Sequence, residues 1–149
     1  MANIIYNVAK AKIFSADMDL NDPTAGKFRV ALLEATGDQN KDDTTVQAVL
    51  ARAGTTELTS TGYARQNLAN VLVRQDDTND RAEWDADDTT FPSISQAGSE
   101  QIKGYLVYMH VTNDSDSIPI LLVDSITPVT PNGSDIKITW DAEGIMHSG

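Results

Sequence analysis

The amino-acid sequence predicts a mainly β protein: an antiparallel β-sandwich or jelly-roll-like barrel with one short α-helix. Three observations lead there. Short segments rich in β-branched, aromatic and aliphatic residues recur along the chain. Clusters of Asp, Asn, Ser and Gly separate them, which is turn chemistry. The helices that a parallel sheet needs as crossovers are missing.

The first strong strand signal is Lys27-Phe28-Arg29-Val30-Ala31-Leu32-Leu33, which alternates polar and apolar residues and then becomes an apolar run. Gly26 and Gly37 punctuate it. Thr44 to Ala53 breaks the pattern. Val46, Val49, Leu50 and Ala53 stand at i, i+3, i+4 and i+7, one helical face. Asp43 or Thr44 is placed to cap the helix and Gly54 to end it. Gln66 to Val73 and Arg81 to Ala86 read as a hairpin about the turn cluster Asp76-Asp77-Thr78-Asn79-Asp80. A second hairpin, of central strands, joins Lys103–Val111 to Ile118–Val123 through Asn113-Asp114-Ser115-Asp116-Ser117, with Pro119 tolerated near a strand start. The last strand, Ile136-Lys137-Ile138-Thr139-Trp140, alternates cleanly after the turn Pro131-Asn132-Gly133-Ser134. These make about six or seven strands in one domain. Its body is expected over residues 21–149, with residues 1–20 as either an N-terminal arm or the first strand of the same sheet.

The composition narrows the chemistry. A chain of 149 residues buries roughly 68–70% of its unfolded surface and needs no staples. It has no cysteine, so disulfides and thiolate metal sites are excluded. No stretch approaches the ~20 apolar residues that cross a bilayer, and no apolar run follows Lys10 and Lys12 as a secretory signal requires. The formal net charge is −11, from 22 acidic against 11 basic residues, which argues against direct nucleic-acid binding and fits a well-solvated surface or one complementary to a basic partner.

No catalytic, cofactor-binding or metal constellation emerges, and the expectation is a protein that is not an enzyme. His110 lies in an apolar strand segment and His147 near the C-terminus, neither with a partner at metal-ligand spacing. The Asp76–Asp80, Asp85–Asp88 and Asp114–Asp116 clusters supply oxygens but lack the calcium-loop pattern, so they read as turns, with a calcium ion at a subunit contact left open. There is no glycine-rich phosphate loop and no nucleophile elbow. Tyr63, Trp84, Phe91, Tyr105, Tyr108 and Trp140 suit core packing or subunit contacts, with a sugar-binding platform as the alternative. Residues 1–20 hold Ile4, Ile5, Tyr6, Val8, Ile13 and Phe14, too apolar for an idle terminus. Ile4, Ile5, Tyr6, Ile13 and Phe14 are the expected protein-interface residues.

Several segments, taken in order, resemble a family of small β-rich virion structural proteins of tailed bacteriophages. They are Phe28-Arg29-Val30-Ala31-Leu32-Leu33, Gly62-Tyr63-Ala64-Arg65-Gln66-Asn67-Leu68, Asp76-Asp77-Thr78-Asn79-Asp80-Arg81, Asp85-Ala86-Asp87-Asp88-Thr89-Thr90-Phe91 and Gly104-Tyr105-Leu106-Val107-Tyr108. The chain then closes with Pro131-Asn132-Gly133-Ser134-Asp135-Ile136 and Trp140-Asp141-Ala142-Glu143-Gly144-Ile145. The resemblance spans about Lys27 to Ile145. It implies a virion protein made in the host cytoplasm, with no catalytic residues and no cofactor. Head decoration (cement) is the first choice, with the major capsid protein and the chain itself as partners. A neck or tail component, or a carbohydrate-binding module on the virion surface, is the alternative. Self-association as a trimer on a local three-fold follows by analogy.

Overall fold

The expected strand Lys27–Leu33 forms over Phe28–Thr36, and the rest of the sheet is built on it. The computed structural model describes residues 3–124 and 126–148, so Met1, Ala2, Ser125 and Gly149 of the stretches 1–20 and 21–149 lie outside the described residues. In chain order the elements are β1 (Ile4–Ile5), α1 (Asn7–Phe14), β2 (Phe28–Thr36), α2 (Val46–Leu50), β3 (Thr55–Glu57), β4 (Gln66–Asn67), β5 (Leu72–Asp76), β6 (Arg81–Asp85), β7 (Thr89–Phe91), β8 (Gly104–Met109), β9 (Ile118–Val123), β10 (Ile136–Ile138) and β11 (Met146–His147). The chain is mainly β, every sheet is antiparallel, and the arrangement is sandwich-like.

The large sheet runs β1-β9-β8-β2-β3, with β4 also pairing to β2. Its three central strands are buried on both faces. Phe28, Val30 and Leu32 of β2 point into one apolar cluster with Val107 and Met109 of β8; Ala31 and Leu33 point into a second with Leu106, Tyr108 and Leu122. The β8–β9 register passes from Val107↔Leu121 to Tyr108↔Pro119, so Ile120 is an extra residue in a bulge. That bulge keeps Leu121 and Val123 on the first face and Leu122 on the second. It also seats Pro119 where a ladder hydrogen bond is already lost. Gly104 lies against β9 closely enough that a Cβ there would collide with the Val123 carbonyl.

Two smaller sheets cover the first face: β11-β6-β5 and β10-β7. Trp84 of β6 is their deepest contribution. Its ring meets Phe28 edge-on at 5.2 Å, and its Nε1–H donates to the Leu20 carbonyl at 2.9 Å. The second face is closed by Val46 and Val49 of α2 and by Tyr6.

Several expectations are refined. The chain has two described helices rather than one. Residues Asn7–Phe14 carry no clear apolar stripe, but Ala9, Lys10, Ala11 and Lys12 favour helix. Fully buried Ala9 lets the helix sit close to the sheet, where half-buried Ile13 also packs on the core. Ile4 and Ile5 pair with Leu122 and Leu121, so the N-terminal stretch adds an edge strand and a helix to the domain. Helix α2 starts one residue later than the expected caps: Thr45 Oγ1 accepts the Ala48 N–H at 3.1 Å, while Asp43 pairs with Arg52. It stops at Leu50, before Ala53. The expected strand Gln66–Val73 is divided, because Asn70 at φ 53° turns the chain from β4, on the large sheet, to β5, on a small one. The expected hairpin then forms between β5 and β6. Strand β8 ends at Met109, so His110 and Val111 lie beyond it, and β10 ends at Ile138. Trp140 is buried instead by its own bonds: its backbone N–H donates to Asp88 and its Nε1–H to the Asp87 carbonyl.

Removing the Trp84 ring leaves a cavity between the two layers and strands the Leu20 carbonyl. Trp84→Ala is expected to lose about 3–5 kcal/mol of stability in a urea titration, with two-state behaviour retained.

Candidate interaction surface

The two histidines and the buried carboxylate Glu83 each have a polar neighbour. Ser117 is fully buried; its Oγ accepts the Val111 N–H and lies 3.5 Å from His110 Nδ1. His147 is in β11, with Nε2 3.8 Å from Glu143. Glu83 is buried between Arg74 and Arg81, each of which donates to it. Among the described residues no three His, Asp or Glu side chains gather where they could hold a metal ion. No described helix is long and apolar enough to cross a membrane.

The acidic clusters divide by role. Asp76 accepts the N–H groups of Thr78 and Asn79, and Asp116 those of Thr112 and Asn113. These are turns, as their spacing implies. Asp114 instead forms a long-range ion pair. The Arg65 guanidinium forks between Asp114 (2.6 Å) and Glu57 (2.7 Å), donates to the Tyr108 hydroxyl at 3.1 Å, and stacks over that ring at 5.4 Å. Tyr63 continues the network by donating to Glu57 and accepting the Leu32 N–H. Hydrogen bonding to Arg65 holds Asp114 below the usual carboxylate range, while burial and then the Glu57 charge push the Tyr63 phenol up. Burial alone would raise Glu100, but bonds from Thr59 and Ser60 hold it low.

The six aromatics named from the sequence all face inward or pack on one another. Trp84, Phe91, Tyr108 and Trp140 are buried. Half-buried Tyr63 stacks on Phe91 at 6.2 Å, and half-buried Tyr105 meets Trp140 edge-on at 5.7 Å. They form core contacts, not an open platform for a sugar.

The five expected interface residues are spread over different environments. Tyr6 is fully buried and its hydroxyl donates to Gln39, so it serves the core of the folded chain rather than its surface. The physical reason is position: Tyr6 follows β1 directly and points into the second cluster. Half-buried Ile4 packs on that same cluster, and Ile5 and Ile13 on the first. Phe14 is different. It closes α1 with its side chain 89% exposed, against 50% for Val111 and 42% for Leu72, the next most exposed large apolar residues. A solvated phenyl ring forgoes about 1.5–3 kcal/mol of burial.

Phe14 is one of the residues that line an apolar groove of about 470 Å³ between α1 and the β5–β6–β11 sheet. Buried Met18 and Trp84, half-buried Ile5, Ile13 and Met146, and exposed Val73 line it. Sequence reasoning reached Ile5, Ile13 and Phe14 but missed Met18, Val73 and Met146. Val73 stands in the apolar run Val71-Leu72-Val73, but only the structure shows that Leu72 and Val73 are both exposed. Met146, near the other end of the chain, gave none.

No protein-family model matches this chain, and no curated protein or solved structure matches it either.

Two outcomes follow from the polar networks. Arg65→Met is expected to lose roughly 2–3 kcal/mol in urea unfolding, between the values for exposed and fully buried pairs, and Arg65→Lys recovers less than half because an ammonium cannot fork. The pH dependence has two limbs. Asp22, Asp76, Asp88, Glu100, Asp114 and Asp116 all have lowered folded pKa values, so their stabilisation is complete above the unfolded range near pH ~4 and is lost as pH falls below it. Tyr6, raised first by burial and then by Asp43, and Tyr63 act oppositely: their contribution holds below pH ~10 and declines above it. Thermal melts across pH are expected to show a plateau between these limits.

Proposed function

We propose that this protein is a structural component of a tailed-phage virion: a capsid decoration (cement) protein that binds the outer head surface and bridges capsid subunits. It works by contact, not by chemistry. The observation that carries the contact reading is Phe14, fully presented to solvent beside an apolar groove in a molecule whose other aromatics are packed inward. The resemblance of residues from about Lys27 to Ile145 to small phage virion proteins supports the setting.

The mechanism is additive. A shell presents many equivalent sites, so each copy contributes a modest apolar contact that symmetry multiplies. A rigid domain suits this use. The groove is built on a twice-covered sheet and on α1 packed against β9, so little is left to order on docking. The major capsid protein is the proposed partner, and synthesis in the host cytoplasm fits the lack of cysteine.

Quantitative mass spectrometry of purified particles tests the assignment. A decoration protein is expected in hundreds of copies on the head, and Phe14→Ser is expected to lower its occupancy at least tenfold while leaving its melting temperature within about 2 °C. Six or twelve copies would instead make it a neck or tail component. Absence from particles would reject the virion reading.

A further inference from the structure

The groove beside Phe14 has a shape and a charge pattern that favour one occupant. Knob and hole lie on the same patch of surface: Phe14, 89% exposed at the end of α1, is itself one of the residues that line the groove. A patch that carries both halves of a contact is the requirement for an isologous pair, in which residue i meets residue j and j meets i across a two-fold axis. There is room for the ring. An apolar cavity of ~150 Å³ accepts benzene, and this groove holds about 470 Å³.

Charge narrows the choice further. At a net charge of −11, two copies repel one another in most orientations. The groove is an exception. Among the charged residues lining it, Lys10 and Asp19 are exposed and opposite in sign, while the Glu83 carboxylate is buried and held by two arginines. His147 also lines the groove, with its ring toward Glu143. Lys10, like Lys12, Arg29, Lys41 and Lys103, has no carboxylate within salt-bridge distance in its own chain among the described residues, so its charge is available to a partner. On the exposed side of α1 it stands one turn from Phe14.

We propose that the groove seats a second copy of this chain, in a two-fold pair where each Phe14 enters the other copy's groove and each Lys10 meets the other copy's Asp19. This rests on the reading of the groove as a contact surface and assigns that surface to self-pairing, so that Phe14→Ser lowers particle occupancy by uncoupling two copies that dock together. A contact made by one ring in one groove is smaller than the standard interface of about 1,600 Å², so the pair is expected to be of micromolar strength.

Sedimentation velocity on the purified full chain, from about 1 μM to about 500 μM, tests it. The expected result is a reversible monomer–dimer equilibrium. Phe14→Ser, at an exposed position that leaves the fold intact, is expected to weaken it at least tenfold. Lys10→Asp and Asp19→Lys are each expected to weaken it several-fold, and the double variant to regain most of the loss. Because Asp19 also accepts the Asn21 N–H, melting curves accompany that variant. If it does not fold, Phe14→Ser and Lys10→Asp decide the matter. A wild-type chain that stays monomeric throughout overturns the proposal. So does association that Phe14→Ser leaves unchanged, or a trimer or larger ring. The two readings fail separately: a strict monomer that coats particles removes only the pair, and a dimer absent from particles removes only the virion assignment.

Discussion

Strand β9 is buried at every one of its six positions, and β2 and β8 share its condition over most of their length. An antiparallel sheet commonly keeps one face in water; this one has apolar side chains on both. Each face must therefore be covered, and the remaining elements do so. The β5–β6–β11 and β7–β10 sheets close one side and α2 with Tyr6 closes the other. The Ile120 bulge is part of the same constraint, since without it the two halves of β9 would present their side chains to the wrong clusters.

Polar groups at the sheet margins tie neighbouring segments of each sheet together. Arg65 lies just before β4 and ties Glu57 of β3 to Asp114 of the β8–β9 turn. Through Tyr63 the tie reaches the Leu32 N–H, a backbone donor in the central strand. Arg74 and Arg81 do the same for the small sheet, gripping buried Glu83. An acidic chain thus directs several of its few cations to inner carboxylates, and Lys10 is left on the surface beside the one fully presented aromatic ring.

The long strands were legible because burial writes a period into the sequence. Phe28-Arg29-Val30 and Ile136-Lys137-Ile138 carry it, while Tyr105-Leu106-Val107 showed itself by its aromatic and branched residues, and each is a strand. The β5–β6 and β8–β9 hairpins were legible from their Asp/Asn turns. Helix α1 was not, because Ala9 contributes a small side chain and Phe14 an exposed one, which blurs any apolar stripe. The two-residue strands β1, β4 and β11 were too short to show a period. Of the contact surface, the apolar content of Ile5, Ile13 and Phe14 could be read in advance, but not that Tyr6, in the same stretch, turns inward.

The sequence by itself determined the β-rich, antiparallel class, the main hairpins, the lack of thiol chemistry and the strong negative charge. These are properties of composition and local spacing. Tertiary structure alone decided which apolar residues remain outside. Phe14, Val73 and Met146 meet at one groove because α1 packs beside β9 while the chain's far end returns to pair β11 with β6. That return needs a tight turn at Gly144, at φ 85°, where a Cβ would press on the Trp84 carbonyl. Contacts between residues so distant in the chain leave no local pattern, since each side chain only meets the others once the sheet between them has formed.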